Sequence, residues 1–290
     1  MRVGRLLQVG PNLVGMLGPN YGSKITWVRA SLPERGVSTF GWTKLQLRGE
    51  LPFDSTTMET ALAPDYSASD VTLAVRPSTQ TWSEIKATIR EAVDRISSSD
   101  NDYLRLAIFP LAPISACIFL GYTLTNRINS LAFQYHRDFA TWSWPKNPIE
   151  LASPSLVLQS ESTNPDAEVY FVFSLSATVD VSCLQRTNAD KVTTFIIKTP
   201  TPSTSWLQER AQLRELGRLA RDVFERAAEM HPNSLLWHIY FAGPAPGAVV
   251  IGQQLNPTMI PPVQLYEFAG QQHVPSIAIG KGDSRLTSWC

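Results

Sequence analysis

Residues 104–124 read LRLAIFPLAPISACIFLGYTL, and residues 235–255 read LLWHIYFAGPAPGAVVIGQQL. The two stretches are one pattern in different letters. Pro113, Gly121, Leu124 and Tyr135 match Pro244, Gly252, Leu255 and Tyr266 at identical spacing, and Phe109 matches Phe241 if the first copy's loop is one residue longer. Upstream, VTLAVRPSTQTW (71–82) faces VTTFIIKTPTPSTSW (192–206). Each is an apolar run, a Pro/Ser/Thr loop and a Trp that opens a long amphipathic segment. An internal duplication on this scale restricts the fold to two copies of one unit.

Periodicity says what that unit is. EVYFVFSLS (168–176), KVTTFIIKT (191–199), LLWHIYFA (235–242) and VQLYEFA (263–269) are β-branched or aromatic runs of strand length. Between them, residues 203–230 place Leu213, Leu216, Ala220, Val223, Phe224 and Ala227 on one helical face, with Glu and Arg on the other. The first half answers with a strand over Val71 to Arg76 and a helical stripe of Trp82, Ile85, Ile89, Ala92, Val93 and Ile96. Strands that alternate with helices and are apolar on both faces imply a parallel sheet covered on two sides. The expected fold class is α/β, two fused Rossmann-like sandwiches related by duplication, with residues 1–150 as one half and 151–290 as the other. Halves of roughly 150 residues are ordinary domain sizes.

The same reading disposes of a membrane span. About 20 apolar residues can cross a bilayer, but Arg105 sits at one end of 104–124, Pro110 and Pro113 break the first half of any helix, and no asymmetric Lys/Arg clusters flank it. LRLAIFP reads as a buried strand, LAP as a turn, and ISACIFLGYTL as a helix packed through small residues such as Ala116 and Gly121. The 25 Lys and Arg balance 25 Asp and Glu to a formal charge of +0, so the electrostatic footprint of a protein that tracks duplex DNA or an anionic membrane is missing. Cys117, Cys183 and Cys290 form neither a disulfide framework nor a zinc spacing, which suits a reducing compartment. Gly and Pro interrupt the apolar residues of Met1 to Tyr21, so no signal peptide is expected and the cytoplasm is the expected location.

Chemistry-bearing motifs are scarce. No GxSxG, HExxH, CxxC, Walker A or GxGxxG pattern occurs, and GKGDS at 280–284 lacks the spacing of a phosphate loop. His136, His231, His238 and His273 have no carboxylate or Cys partner at motif spacing, and His238, inside a strand beside Trp237, reads as a core histidine. No catalytic residue, metal site or cofactor is expected.

HIYFAGPAPGAVVIGQQLN, followed by PPVQLYEFAG and VPSIAIG, resembles the C-terminal signature of SAVED domains, the sensor modules of bacterial anti-phage signalling. DYLRLAIFPLAPISACIFLGYTLTNR resembles the degenerate N-terminal half of the same module. The resemblance runs from about residue 65 to 280 and is specific in 235–280. It implies two fused halves similar to the CRISPR-associated Rossmann fold, a cyclic oligonucleotide as ligand (cyclic tri- or tetra-adenylate), ligand-driven homo-oligomers or filaments, and a fused or separate effector such as a nuclease, TIR domain or protease. Residues 1–64 are too short and too poor in motifs to be that effector. A ring-nuclease-like enzyme that cleaves its cyclic ligand, and a general nucleotide-binding module, are the alternatives.

The loops agree with a phosphate-bearing ligand. In open α/β sheets ligands sit beyond the carboxyl ends of the strands, where a helix N-terminus offers unpaired N–H groups and a positive dipole end. Gly243, Pro244, Ala245, Pro246 and Gly247 lie at such a point, and Pro113 and Ser115 occupy the equivalent turn of the first half. Ser174, Ser176 and Thr178 end one strand, and Thr199, Thr201, Ser203 and Thr204 precede Trp206 after another. Tyr135 and Tyr266 are placed at strand ends facing the ligand, Trp206 is a candidate base-stacking platform, and His136 and Arg137 are within reach of a phosphate. Each has a plainer reading: Gly-Pro-Ala-Pro-Gly as a tight turn, Trp82 and Trp206 as core anchors, His136 and Arg137 as a solvated loop.

Overall fold

The computed structural model describes residues 6–8, 14–16, 26–28, 42–51, 55–62, 66–97, 104–148, 152–180, 192–280 and 283. The chain divides into two compact units, Met1–Thr39 and Phe40–Cys290. The first holds β1 (Leu6–Gln8), β2 (Val14–Met16) and β3 (Thr26–Val28), paired antiparallel in that order.

The second unit carries the repeat. Its first half runs β4 (Trp42–Arg48), α1 (Thr56–Leu62), β5 (Tyr66–Ala74), α2 (Trp82–Ser97), β6 (Arg105–Leu111), α3 (Ile114–Leu124) and β7 (Asn129–Ala132), followed by a 3-10 turn at Arg137–Phe139. Its second half runs β8 (Ser155–Ser160), β9 (Glu168–Ser174), β10 (Val192–Lys198), α4 (Arg210–Met230), β11 (Trp237–Ala242), α5 (Ala245–Gly252), β12 (Val263–Ala269) and β13 (Gln272–Ile279). The first sheet has the order β5-β4-β6-β7, all parallel. The second has β8-β10-β9-β11-β12-β13, in which β10, β9, β11 and β12 reproduce the parallel four and β8 and β13 are antiparallel additions at the edges. One constant residue offset relates the buried stripe Ile85, Ile89, Ala92, Val93 and Ile96 of α2 to Leu216, Ala220, Val223, Phe224 and Ala227 of α4, and Gly121 of α3 to Gly252 of α5.

The elements differ from the sequence reading in several ways, beginning with β8, β13 and α1, which it did not anticipate. β4 lies ahead of the first strand recognised in the sequence, because Lys44 and Gln46 interrupt its apolar pattern; both are buried, and Lys44 reaches Asp70 at 2.8 Å. The helix expected over 203–230 starts at Arg210, where Gln212 Oε1 accepts the Glu209 N–H at 2.9 Å and closes a capping box. Residues 203–209 form a loop that carries Trp206 into the core. The strand expected to end at Tyr135 stops at Ala132.

Helices α2 and α4 are amphipathic and bury one stripe each. Helix α3 is buried on every side from Ser115 to Leu124, and α5 nearly so, as a helix that is apolar all round must be. That accounts for the apolarity of 104–124: β6 is an interior strand and α3 has no solvent face. None of the helices among the described residues is long and apolar enough to cross a membrane.

Helices α3 and α5 cross on their glycines. A Cβ on Gly121 would lie within 2.9 Å of the Val249 carbonyl carbon and nearer still to its oxygen; one on Gly252 would meet the Ile118 carbonyl in the same way. The repeat offset that converts Gly121 into Gly252 also converts Ile118 into Val249, so the contact is self-complementary about a local two-fold. Backbone rests directly on backbone. The contact lets both sheets share one continuous core, in which Leu106, Ile108 and Phe119 of the first half join Phe171, Phe241 and Ile251 of the second. Smaller clusters cover the outer faces: Met58 and Leu62 of α1 pack over Phe109, Phe133 and Trp142, and Tyr170, Tyr240 and Tyr266 line the face of the second sheet opposite α4 and α5.

Gly121→Ala and Gly252→Ala each force the helix axes apart, and each lowers unfolding free energy by about 3 kcal/mol, the upper range of overpacking costs, in urea titrations. Gly247→Ala, whose Cβ would meet side-chain atoms alone, the tip of Leu216 at 3.1 Å, the Phe241 ring edge at 3.3 Å and the Pro244 ring at 3.5 Å, costs less.

Candidate functional site

Parallel strands deliver their carboxyl ends to one edge, and the local two-fold sets the two edges side by side. Between them lies a cleft of about 930 Å³, near the upper end of small-ligand pockets. Each half contributes matching loops. Gly49 and Glu50 follow β4 as Ser176 follows β9; Pro77 and Ser78 follow β5 as Thr204 and Ser205 follow β10; Ala112 and Pro113 follow β6 as Gly243 to Ala245 follow β11. The segment Gln134–Phe139 closes one side, and Glu267 of β12 lies opposite.

Of the residues singled out in the sequence, Pro113, Tyr135, His136, Arg137, Ser176, Thr204, Gly243, Pro244 and Ala245 line this cleft. The others are placed elsewhere. Ser115 is buried; its hydroxyl lies 2.5 Å from that of Ser276 and its N–H donates to Glu267 Oε1 at 2.6 Å. The Ser174 hydroxyl accepts the Val179 N–H at 3.0 Å, and that of Thr199 points to the Leu175 carbonyl at 3.5 Å. Thr178 and Thr201 are exposed outside the cleft lining, and Trp206 is in the core. Gly247 packs against Leu216 and Phe241, so an acidic side chain there would disturb the core, contrary to the sequence reading of an open phosphate contact. Tyr266 points away from the strand ends: its ring stacks on Tyr240 at 4.2 Å and its hydroxyl lies 2.9 Å from His238 Nδ1.

Sequence reasoning missed Glu50, Phe139 and Glu267. Phe139 is 73% exposed, the one strongly exposed aromatic ring in the cleft lining, held on a turn whose next residue, Ala140, has φ 47°. Tyr135, half-buried, leans on Trp142 at 5.1 Å. Glu50 accepts the Ser78 N–H at 3.0 Å, and hydrogen bonds from the Ser78 side chain and backbone hold its carboxyl below the usual range, which makes it a weak general base at neutral pH.

Glu267 and His136 occupy the same repeat position, one residue after Tyr266 and Tyr135. Glu267 caps the N-terminus of α3 through the Ser115 N–H, and burial nonetheless pushes its carboxyl up, the hydrogen bonds from Ser115 opposing. At α5 the counterpart of Ser115 is Pro246, which has no N–H, and the counterpart of Glu267 is His136. The N-terminus of α3 therefore carries a carboxylate, whereas that of α5 meets a histidine that burial holds below its ordinary pKa, with Asp138 pulling the other way. His136 Nε2 has no hydrogen-bond partner among the described residues, and the ring sits edge-on to Trp144 at 5.8 Å. Of the two helix termini, α5 is the one left open to an anion. The cleft as a whole is not basic: Glu50, Asp138 and Glu267 face the single guanidinium of Arg137.

Residues 85–279 match the family model described as the SMODS-associated and fused to various effectors sensor domain, SAVED. The fold is similar to that of the Acinetobacter baumannii Cap4 SAVED/CARF-domain containing receptor solved with the cyclic trinucleotide 3'3'3'-cAAA, at 17% identity and a TM-score of 0.57, over 83% of this chain and 52% of that one. The same receptor with 2'3'3'-cAAA gives 17% and 0.56 over 83% and 52%. The Moraxella osloensis Cap4 receptor gives 15% and 0.53 over 84% and 50%. This chain thus spans about half the length of the receptors it matches. Among curated proteins, none matches.

Because the native pKa of His136 is depressed below the ordinary 6.5, unfolding takes up a proton on this residue as pH falls through that value. Its contribution is present above pH 6.5 and is lost on acidification. His136→Phe, which keeps a ring against Trp144, is expected to flatten the decline in melting temperature between about pH 7 and 5; a decline as steep as that of the parent protein would contradict this assignment.

Proposed function

Since this chain belongs to the SAVED family of sensor domains, we propose that it binds a cyclic oligonucleotide, a cyclic tri- or tetra-adenylate, in the cleft shared by its two halves. The observation that carries the reading is the paired lining. Matching loops from two copies of one unit present backbone N–H groups, Ser and Thr hydroxyls and one open helix N-terminus to the same space, as a ring of repeated nucleotide units requires. One of the structurally similar receptors was solved with two different cyclic trinucleotides.

The chemistry assigns roles. The N-terminus of α5, behind Gly243 and Pro244, receives a phosphate. Phe139 offers a face on which a base stacks, and Arg137 supplies a guanidinium beside it. Glu267 works against an anionic ligand, and its raised pKa lets a proton neutralise it when the ligand arrives. Occupancy then favours a self-associated form, or a form that engages a nuclease, TIR or protease effector, by its differential affinity for that state. Binding and output, not turnover, are the activity.

Calorimetry with cyclic tri-adenylate and cyclic tetra-adenylate, with light scattering on the same samples, tests this. Phe139→Ala is expected to weaken binding by about tenfold or more, since stacking on one aromatic ring is worth ~1–3 kcal/mol. Glu267→Gln, which keeps an acceptor for the Ser115 N–H, tightens binding at neutral pH and removes the strengthening otherwise expected as pH falls. With one guanidinium in the lining among the described residues, the salt dependence is expected to be shallow. Unchanged affinity in both variants would place the ligand elsewhere, and linear products in the cell would make the protein a ring-opening enzyme instead.

A further inference from the structure

The two halves share a plan, yet their outer flanks are finished differently. On the α2 flank, the chain seals itself. β13 adds antiparallel to β12, and the residues after it are clasped by the first half. Lys86 Nζ donates to the Ala278 carbonyl at 2.6 Å and to Asp283 Oδ2 at 2.8 Å, Arg90 pairs with the other oxygen of that carboxylate, and the Tyr122 hydroxyl donates to the Gly280 carbonyl at 3.3 Å. The Lys86 ammonium also lies 5.5 Å from the centre of the Phe119 ring.

The repeat offset carries Lys86, Arg90, Phe119 and Tyr122 to Gly217, Arg221, Val250 and Gln253. All four counterparts line a second pocket, of about 540 Å³, on the α4 flank. Three of the four are smaller than the residues they replace, which opens the space. Beside it runs β7, the last strand of the first sheet, whose residues Ser130 to Ala132 line the pocket and whose Ser130 hydroxyl accepts from Gln253 Nε2 at 2.8 Å. β12 has β13 on its outer side; among the described residues β7 pairs only with β6.

Part of the charge on this flank has no counter-charge among the described residues. Arg210, Arg214, Arg218 and Arg221 follow one face of α4, and among the described residues no carboxylate lines the pocket. Arg218 reaches Asp222 at 3.0 Å and Arg210 lies over the Phe133 ring at 4.9 Å, while Arg214 and Arg221 have no carboxylate partner among the described residues. Like charges four residues apart repel on a helix surface, and cations in its first turns oppose the macrodipole. Such an arrangement is stabilised when an anion arrives from outside.

We propose that this pocket docks an acidic extended segment of a partner protein, which adds as an antiparallel strand to the edge of β7 that pairs with no other strand among the described residues and sets a carboxylate against Arg214 and Arg221. The opposite flank is the template: there the chain's own edge strand and the Asp283 carboxylate fill the equivalent place. Strand addition supplies main-chain hydrogen bonds for affinity, and the arginines select the charge. A small free anion would meet the guanidinium groups and leave the strand edge unpaired.

The probe is a fluorescent peptide with the sequence of residues 272–283 carrying Lys281→Glu, so that acidic residues follow the strand, titrated into the intact chain by anisotropy. Saturable binding is expected, at least about tenfold weaker for the double variant Arg214→Glu with Arg221→Glu and for a peptide carrying Asp283→Asn with Lys281 retained. Methylation of alternate peptide nitrogens abolishes it. Both arginines are exposed, so circular dichroism and thermal unfolding of the variant are expected to match the parent protein. A peptide that does not bind, or that binds equally well when N-methylated or to the charge-reversed protein, overturns the proposal. Binding of pyrophosphate with an inert peptide overturns it in favour of a small-anion site.

Discussion

Everything in the larger unit depends on the place where Gly121 and Gly252 let two helix backbones touch. Helices usually pack 8–10 Å apart because side chains stand between them. Here the small residues remove that spacer, and α3 and α5 fit together within the layer between the two sheets. The carboxyl ends of the parallel strands consequently come to lie side by side and form one cleft. A larger residue at either glycine would separate the cores and the loops together.

Duplication supplied symmetry, and divergence then used the two copies differently. At one helix N-terminus Ser115 donates to Glu267; at the other Pro246 has no donor and His136 stands where the carboxylate would be. One flank is closed by β13 and Asp283, while on the other Gly217 replaces Lys86 and four arginines face outward. Apart from the added strand β13, these are single-residue changes at matching positions, and they turn satisfied internal contacts into surfaces that can receive something. Identical halves would give a symmetric cleft with a carboxylate at both ends, a poor host for phosphate.

The fold was legible because its strongest signals are periodic. The repeat itself, the stripes of α2 and α4, and the division of 104–124 into β6 and α3 could all be read from apolar spacing. β4 could not, since Lys44 and Gln46 look like solvent-facing residues until Asp70 and Arg48 are seen to pair with them. The site was legible only in part. The turn at Gly243 to Ala245 follows from strand and helix order, but whether a hydroxyl faces a cleft or is spent on a neighbouring backbone group depends on the closing of a loop. Ser174 and Thr199 were lost in that way. Tyr266 was misplaced because a strand's faces alternate: Glu267 turns toward α3 and its neighbour toward the Tyr240 ladder. Phe139 gave no sequence signal, since an isolated aromatic after a charged pair has no period. Glu267 was within reach, one step beyond the Tyr135 and Tyr266 match.

A joint made of backbone against backbone is stiff. Domain closure needs either a few residues that absorb a rotation or an interface that slides, and the glycine crossing provides neither. Each helix is notched into the other at matching points, and a core shared across the joint resists shear. The two halves therefore behave as a frame and not as jaws. The turn that carries Phe139 stands outside that frame, at the rim of the cleft. In a rigid frame of this kind, what a filled cleft can change is the surface at its rim, and a rim so placed is open to a neighbouring molecule as well as to the cleft.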